Sequence, residues 1–446
     1  MWRKLASVCL AAGIVSTAAF AQESRPKGIP HLDHVFVIMM ENHGYQQVVG
    51  NPNDPYLNNL ISTKQVNLAT NYFAVGHPSL TNYLEIVGGS NFGIRSDNSP
   101  DWGNTTCSPN IATGVVNADD DDSSAGPATV DTGNICPISG TGTDAETPAV
   151  DTWNEVAGPF VALADLDGVK SVPAASTVGE TIGDQLDAAG LTWKSYQESL
   201  PLGPVFGVNY SNGTVSNLTD FTDLAPLTTS SVVQLYAVKH NPFAYFKSVQ
   251  DGSDRDNSLA DVKGFDGPRG LYADLASGKL PALAFVVPNQ CDDQHGRSNS
   301  DAFCAFDYGV NDSGYTYGTT VGLNPGLNQQ GDLTIERMVK AIQASEVWHS
   351  SRSAIVIVWD ENDYSGSTTL LTGAYPSQNQ NRVVLTVQTN YDNRPGIQSD
   401  QYYTSYSILK SLEAGFGLPC LNHACDSDVQ VMSDLFGDSD RDRFHY

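Results

Sequence analysis

The most restrictive feature of this sequence is the apolar run at 35–40, which lies in the segment HVFVIMMENH. Six consecutive apolar residues bounded by polar ones are typical of a strand buried on both faces, as in a parallel sheet. Glu41 and Asn42 follow at the point where this strand should end. Because parallel sheets bind ligands beyond the carboxyl ends of their strands, the run predicts functional groups at this edge.

Two later apolar runs, LAFVV at 283–287 and AIVIVW at 354–359, are also followed by acids. After the first come Asp293 and His295, which are two residues apart, so in extended backbone both side chains point to one side. Carboxylate, amide and imidazole groups at three strand ends indicate a site for a divalent cation. The expected metal ligands are Glu41, Asn42, Asp293, His295, Asp360 and Glu361.

A candidate nucleophile lies in GHPSLTN at 76–82, between an extended segment and a helical pattern. This Gly/Pro turn would place Ser79 at a helix N-terminus, where backbone N–H groups and the helix dipole favour an anion. If that anion is a phosphoryl group, Asn82, one helical turn on, could donate a hydrogen bond to its oxygens. The alternative is that Ser79 only caps the helix. A Ser-His-Asp acyl hydrolase is disfavoured, since Gly-x-Ser-x-Gly is absent.

Lys239 and His240 precede a predicted helix at 243–249. They are candidates to neutralise phosphate charge or to protonate a leaving oxygen. The alternative is that His240 is a structural or exposed histidine.

The first 21 residues predict export. Arg3 and Lys4 precede an apolar run at 5–15, and Ala-Phe-Ala at 19–21 matches a signal-peptidase site. We expect a secreted or periplasmic protein that begins near Gln22, with a retained anchor as the alternative. No later segment approaches the roughly 18 apolar residues of a membrane span, so stable membrane insertion is not expected.

The cysteines are consistent with export, because loss of Cys9 leaves six of the seven. An even number in an exported chain indicates disulfides, whereas no cysteine or histidine spacing fits a zinc site. Pairing of sequence neighbours is expected, namely 107–136, 291–304 and 420–425.

The formal charge of −27 argues against nucleic acid or an anionic membrane as partner, since both require basic patches. No linker or repeat divides the chain, so a single catalytic domain is expected at 22–446. Segment 96–148 is rich in Gly, Asp, Ser and Thr, and predicts an acidic loop insertion. Its four aspartates at 119–122 favour a solvated loop over a calcium site, because the EF-hand spacing is absent.

Strands alternating with helices predict an α/β fold with a mostly parallel central sheet flanked by helices. Several segments, taken in order, resemble the bacterial and fungal phosphoesterase family. They are ENHGY at 41–45, GHPSLTNYLEIVGGSNFGI at 76–94, KHNPF at 239–243, PNQCDDQHG at 288–296 and VWDEN at 358–362. The family groups secreted acid phosphatases with phosphatidylcholine-type phospholipases C. The resemblance therefore implies an alkaline-phosphatase-like fold with long loop insertions.

The resemblance also implies roles for residues. Glu41, Asn42, Asp360 and Glu361 match metal ligands, and Ser79 matches the nucleophile. Asp293 and His295 resemble an Asn-Asp-x-His element, although Asp292 replaces the asparagine. Thr81 likewise replaces a proline of the wider superfamily's nucleophile motif. Because Glu361 stands where a histidine is common, one divalent ion is expected, with calcium, magnesium, manganese and zinc all open.

These features together predict a secreted, metal-dependent phosphomonoesterase of acid-phosphatase type that acts through a phosphoseryl intermediate. The expected substrate is a small phosphorylated molecule or a lipid headgroup. A phospholipase C or other phosphodiesterase that uses the same site is the first alternative. A non-catalytic exported protein whose acids bind calcium is the second.

Overall fold

The computed structural model describes residues 25–76, 78–94, 96–100, 108–113, 135–142, 176–201, 235–252, 254–296, 304–305, 325–362, 381–391 and 395–437. The predicted signal segment, the aspartate run and Cys107 lie outside these ranges, and the predicted insertion at 96–148 is described only in part. The single-domain organisation stays a prediction.

The secondary structure alternates along the chain. The strands of the described residues are β1 His34–Met40, β2 Asn67–Ala69, β3 Tyr72–Phe73, β4 Thr141–Gly142, β5 Thr177–Val178, β6 Trp193–Gln197, β7 Val262–Gly264, β8 Leu283–Val287, β9 Ser353–Trp359, β10 Leu385–Thr389, β11 Gln398–Ser399 and β12 Tyr403–Thr404. The helices are α1 Tyr45–Val48, α2 Pro55–Ser62, α3 Ser79–Gly88, α4 Asn110–Thr113, α5 Ile182–Ala188, α6 Lys247–Gln250, α7 Leu271–Ser277, α8 Pro325–Gln343, α9 Glu346–Ser350, α10 Ser405–Phe416 and α11 Ser433–Phe436.

The central sheet of the described chain has the strand order β11-β2-β10-β9-β1-β8-β6-β7. β1 pairs in parallel with both β8 and β9, whereas β10 runs antiparallel to β9 and β2. The remaining pairs, β11 with β2 and β6 with β7 and β8, are parallel. The predicted α/β class with a mostly parallel sheet is confirmed. The carboxyl ends of β1, β8 and β9 therefore lie at one edge.

Strand β1 is at the centre of the core. Every side chain of 35–40 is fully buried, as is the whole of β9. Because successive side chains of a strand point to opposite faces, both faces of the sheet are covered here. Helix α3 packs against α10 and α5, and α8 packs against α2, α7 and α9. Burial of each large apolar side chain contributes about 1.5–3 kcal/mol to the free energy of unfolding, so these central strands are a main source of the stability of the fold.

Two helices differ from the sequence pattern. The apolar period predicts a helix at 333–348, but α8 runs from Pro325 to Gln343 and is followed by α9. The pattern misses the first turns of α8 because polar side chains there, such as Asn328, are buried against other polar groups. The helix predicted at 243–249 is divided into a 3₁₀ turn, Pro242–Tyr245, and the short α6. Phe246 between them has extended backbone, with φ −93° and ψ 135°.

Disulfide bonds join Cys291 to Cys304 and Cys420 to Cys425, as predicted. Cys136 is also disulfide-bonded, and its predicted partner Cys107 lies outside the described residues. Across the described part of the chain, no helix combines the length and apolar character needed to cross a membrane.

Candidate active site

Polar side chains from three strand ends and one helix meet at the carboxyl edge of the sheet. Glu41 follows β1, Asp360 follows β9, and Asp293 lies in the loop after β8. The backbone N–H of Glu41 donates to the Asp293 carbonyl at 2.9 Å, and that of Asp360 donates to the Met40 carbonyl at 2.9 Å. These bonds fix the three strand ends side by side, with Ser79 at the start of α3 beside them.

The Ser79 side chain is buried and faces two carboxylates. Its Oγ donates to Oε2 of Glu41 at 3.1 Å or to Oε1 of Glu361 at 3.3 Å. A hydroxyl has one proton, so only one of these bonds exists at a time and either acid can accept that proton. The N-cap position belongs to Pro78, which has extended backbone, so the Ser79 hydroxyl does not cap α3.

Glu41 is the most crowded of the acids. Its Oε1 accepts a hydrogen bond from the Tyr83 hydroxyl and lies 3.2 Å from Nε2 of His240. The rings of Tyr83 and His240 are stacked, with centroids 5.3 Å apart and an angle of 5° between their planes. Tyr83, one turn beyond Ser79 in α3, therefore orients both an acid and an imidazole of the site.

Three of these side chains are arranged as a group of metal ligands. One ligand atom from each of Glu41, His240 and His295 lies within 4.8 Å of the other two. Nδ1 of His240 also lies 3.4 Å from Oδ2 of Asp293. The catalytic role predicted for His240 stays a prediction, and the structure shows its side chain buried between two acids.

Buried oxygen atoms without partners support a cation here. Oδ1 of Asn42, Oδ2 of Asp293 and Oδ2 of Asp360 accept no hydrogen bond from the described residues. Leaving such atoms unsatisfied costs about 1–3 kcal/mol each, more for charged groups. Asn42 itself has the left-handed φ of 53°, and its backbone N–H donates to Oδ1 of Asp360 at 3.1 Å. Hard oxygen ligands with imidazoles fit a divalent ion.

The charges of the cluster lead to the same conclusion. Burial, followed by the charges of Asp360 and Asp293, raises the pKa of Glu41 well above its usual value. Burial also raises the pKa of Asp293, and burial together with Glu361 raises the pKa of Asp360 to about 8. Acids so close together cannot all be ionised at neutral pH unless a cation offsets their charge.

Asn82 holds the site together. Its Oδ1 accepts from the backbone N–H groups of Val75 and Gly76 at 3.1 and 2.9 Å. Its Nδ2 donates to the Gly76 carbonyl at 2.6 Å and to Oε2 of Glu361 at 3.2 Å. These contacts occupy both ends of the amide, so the side chain is a brace between the turn before Ser79 and Glu361. The phosphoryl contact expected from the sequence would require this brace to open.

Lys239 is the cation that faces the acids. Its Nζ donates to Oδ2 of Asp97 at 2.6 Å and lies 3.3 Å from Nε2 of His295. Burial alone would lower the pKa of Lys239, but the charges of Asp97 and Glu41 outweigh it and raise the pKa. Oδ1 of Asp97 accepts from the backbone N–H of Leu80 at 3.1 Å. Asp97 thus links Lys239 to the first turn of α3.

All ten residues singled out from the sequence lie at this edge of the sheet or in direct contact with residues there. Tyr83 and Asp97 were missed. Tyr83 occupies an ordinary position of an apolar helix, and Asp97 lies in a polar segment without a recognisable pattern. No signal in a single sequence separates them from other tyrosines and aspartates.

The Phosphoesterase family model matches residues 55–303, more than half of the chain. An acid phosphatase of Aspergillus fumigatus is 24% identical over 412 residues, which cover 92% of this chain and 61% of that protein. A phosphate-repressible acid phosphatase of Penicillium chrysogenum is 24% identical over 404 residues, with coverage of 90% and 63%. The chain thus spans less than two thirds of the length of these fungal relatives.

Two further similarities extend over most of the chain. A phosphatidylinositol-3-phosphatase of Mycobacterium tuberculosis is 22% identical over 411 residues, which cover 92% of this chain and 85% of that protein. A solved structure from Vibrio parahaemolyticus, described as an alkaline phosphatase superfamily protein, aligns with a TM-score of 0.41 and 11% identity. That alignment covers 90% of this chain and 73% of the other.

Proposed function

Because the chain belongs to the Phosphoesterase family, we propose that it is a metal-dependent phosphomonoesterase with Ser79 as its nucleophile. The observation that carries the proposal is the pair of hydrogen bonds from Oγ of Ser79 to Glu41 and Glu361, at the edge of a buried acid cluster. A serine with two proton acceptors, a facing cation and unsatisfied ligand oxygens is equipped for nucleophilic attack on an electrophilic centre.

A divalent ion would be held by Glu41, Asn42, Asp293, Asp360, His240 and His295. When bound, such an ion lowers the pKa of a neighbouring hydroxyl and offsets charge on a phosphoryl group. Glu361, a further ligand candidate, is better placed as a proton acceptor, because Oε1 faces Ser79 while Asn82 holds Oε2.

In the first half of the reaction, Oγ of Ser79 attacks phosphorus in line with the leaving oxygen. The bond from Ser79 to phosphorus forms, the bond from phosphorus to the leaving oxygen breaks, and the Ser79 proton passes to Glu361. The leaving oxygen, on the opposite side of phosphorus, takes a proton from water and departs as an alcohol, while Glu361 keeps the Ser79 proton. Lys239 offsets the charge that develops on the phosphoryl oxygens.

In the second half, water attacks the phosphoserine. A new bond joins the water oxygen to phosphorus, the bond to Oγ breaks, the attacking water releases one proton to solvent, and Glu361 returns its proton to Oγ of Ser79. This step regenerates the Ser79 hydroxyl and releases inorganic phosphate, so the atoms balance over one turnover.

A small phosphomonoester, either free or as a lipid headgroup, is the substrate class we infer. The relatives named as acid phosphatases and as a phosphatidylinositol-3-phosphatase support it. We also infer export, from the predicted signal segment and the disulfides. Mass spectrometry of protein from the medium or periplasm should then find an N-terminus near Gln22, and an intact N-terminus would contradict this.

The central experiment is hydrolysis of para-nitrophenyl phosphate and its bis-nitrophenyl diester analogue, with and without EDTA. Monoester turnover that EDTA abolishes and an added divalent ion restores is the expected result. Turnover of the diester or of a phosphocholine lipid alone would instead indicate the phospholipase C type of activity. Absence of turnover with Ca²⁺, Mg²⁺, Mn²⁺ and Zn²⁺ would favour the calcium-binding alternative.

A further inference from the structure

Behind the acid cluster lies a buried polar network that the reaction does not use. Its members are His43, Asp54, Gln294, Asn328 and Trp359, all with side chains almost entirely shielded from solvent. None of them contacts Ser79 in the hydrogen bonds of the described residues. We propose that this network, which we call the tie network, positions the metal ligands and sets the metal affinity of the site. This inference rests on the proposed metal-dependent function.

The tie network reaches all three ligand-bearing strand ends. On the β1 side, Nδ1 of His43 bonds to the carbonyl of Glu41 at 2.9 Å. On the β9 side, Nε1 of Trp359, the residue before Asp360, donates to Oε1 of Gln294 at 3.0 Å. On the β8 side, Gln294 itself lies between the ligands Asp293 and His295. A shift in any member would therefore reach a ligand through the hydrogen bonds of the network and the adjoining backbone.

Asp54 is the hub that joins these parts. Nε2 of Gln294 donates to Oδ1 of Asp54 at 2.7 Å and to the Asn328 carbonyl at 3.1 Å. The Asn328 side chain lies 3.0 Å from Oδ2 of Asp54 and 3.3 Å from Nε2 of His43. The chain of contacts thus runs from His43 through Asn328, Asp54 and Gln294 to Trp359 without a gap.

The orientation of the network follows from its donors. Indole N–H is a donor only, so the oxygen of Gln294 must face Trp359 and its amide nitrogen must face Asp54. A carbonyl is an acceptor only, so Nδ1 of His43 carries the proton that it donates to Glu41. Trp359, Gln294 and Asp54 therefore have fixed roles, and leaving one of their hydrogen bonds unmade would be costly in this buried environment. Nε2 of a neutral His43 is an acceptor, so it contacts Oδ1 of Asn328 without donating to it.

Backbone strain supports a positioning role. Gln294 has a φ of 81°, in the left-handed region that side chains rarely adopt. Such a conformation persists only where the surroundings hold it, and here the three hydrogen bonds of the side chain do so. Helix α8 also approaches very closely, since a Cβ added to Gly331 would lie 2.3 Å from Cγ of Gln294. Glycine at this position makes room for the strained residue.

The test compares variants by calorimetric titration with Mn²⁺ and with Zn²⁺, each alone, after removal of metal by chelation. We expect Asp54→Leu to weaken binding by about 10- to 100-fold, the usual cost of removing a group that orients metal ligands. Asp54→Asn should bind within a few-fold of wild type, because an amide can still accept from Gln294 and donate to a turned Asn328. Recovery of metal affinity in Asp54→Asn would show that the hydrogen bonds of residue 54, and not the size of its side chain, position the ligands.

Two further variants keep the test decisive even if Asp54→Leu does not fold. Gly331→Ala removes no polar group and improves helix propensity, yet it should weaken metal binding because it displaces Gln294. Asp332→Asn is the matched control. Asp332 is a buried acid that accepts from the N–H groups of Tyr56 and Leu57, and among the described residues it makes no hydrogen bond to the tie network. It should lose thermal stability and keep its metal affinity.

The outcomes separate the two proposals. Wild-type affinity in folded Gly331→Ala and Asp54→Leu, or an equal loss in Asp332→Asn, would overturn the positioning role alone. Failure of the wild-type chain to bind any of Mn²⁺, Zn²⁺, Mg²⁺ and Ca²⁺ in the same titration would overturn the metal proposal and this inference with it.

Discussion

Nζ of Lys239 lies 3.3 Å from Nε2 of His295, a residue of the group of candidate metal ligands. Nδ1 of the same ring faces the Gly296 carbonyl at 2.9 Å, so Nδ1 carries the proton and Nε2 presents a lone pair. One lone pair serves either the ammonium group or a metal ion. Lys239 and a metal thus compete for His295.

This competition predicts the behaviour of Lys239→Met. Removal of a competing and repelling charge should strengthen Mn²⁺ binding by about tenfold, equivalent to about 1.4 kcal/mol. Turnover should nevertheless fall by about 100- to 1,000-fold, as for loss of a group that stabilises transition-state charge. Calorimetry and monoester kinetics measure the two effects. Lys194→Met, which breaks a similar lysine–aspartate pair with Asp274, is the control. Unchanged metal affinity would refute the competition.

The nucleophile is tested by Ser79→Ala. Loss of the attacking oxygen should lower kcat by about 10⁴-fold or more, with little effect on folding, since a single hydrogen bond is lost. In the wild-type protein, acid quenching during turnover followed by mass spectrometry should find phosphate on the peptide that contains Ser79. Ser411→Ala removes another buried serine hydroxyl, outside the site, and should remain active. Substantial residual turnover of Ser79→Ala would exclude Ser79.

Tyr83→Phe should shift the pH dependence of activity. Burial is the main cause of the raised pKa of Glu41, and the hydrogen bond from Tyr83 partly offsets it. Without that bond the pKa rises further, so the acid limb of the pH–rate profile should move to higher pH. The loss of a hydrogen bond to a charged group should also cost about 1.5–3 kcal/mol of stability.

The control for this variant is Tyr196→Phe, which removes a comparable bond from a buried tyrosine to Asp274. It should lose stability without a change in the pH–rate profile. An equal displacement of both profiles would show that Tyr83 acts only on stability.

Metal removal should make stability depend on pH in a defined direction. Because the folded-state pKa of Asp360 is raised from the usual 3.8 to about 8, the native state binds more protons than the unfolded state between these values. The free energy of unfolding of chelated protein should therefore fall as pH rises through this window. A bound metal replaces those protons and should flatten the curve. Denaturant titrations at several pH values measure both, and identical curves would contradict the argument.

The sheet and the position of the acids at its edge were predictable because a strand buried on both faces leaves an unbroken apolar run in the sequence. Glu41 and Asp360 each follow such a run directly. The side chain of Asp293 comes six residues after β8, yet the loop returns it to Glu41, whose N–H bonds to its carbonyl. Local pattern and the geometry of a parallel sheet were sufficient for these groups.

The supporting contacts were not predictable in the same way. Asp54 lies 240 residues from Gln294 in the sequence, and Lys239 lies 142 residues from Asp97. Each pair consists of polar residues common in loops and helix ends, and only tertiary packing brings its members together. For the same reason the helix predicted after His240 was wrong in part, since packing holds Phe246 in extended backbone.

The Cys291–Cys304 disulfide closes a loop that contains two of the candidate ligands, Asp293 and His295. Cross-linking restricts the conformations open to such a loop before any ion arrives. If the proposed metal site is correct, reduction of the Cys291–Cys304 bond should weaken it, so the oxidation of two thiols and the binding of an ion are linked.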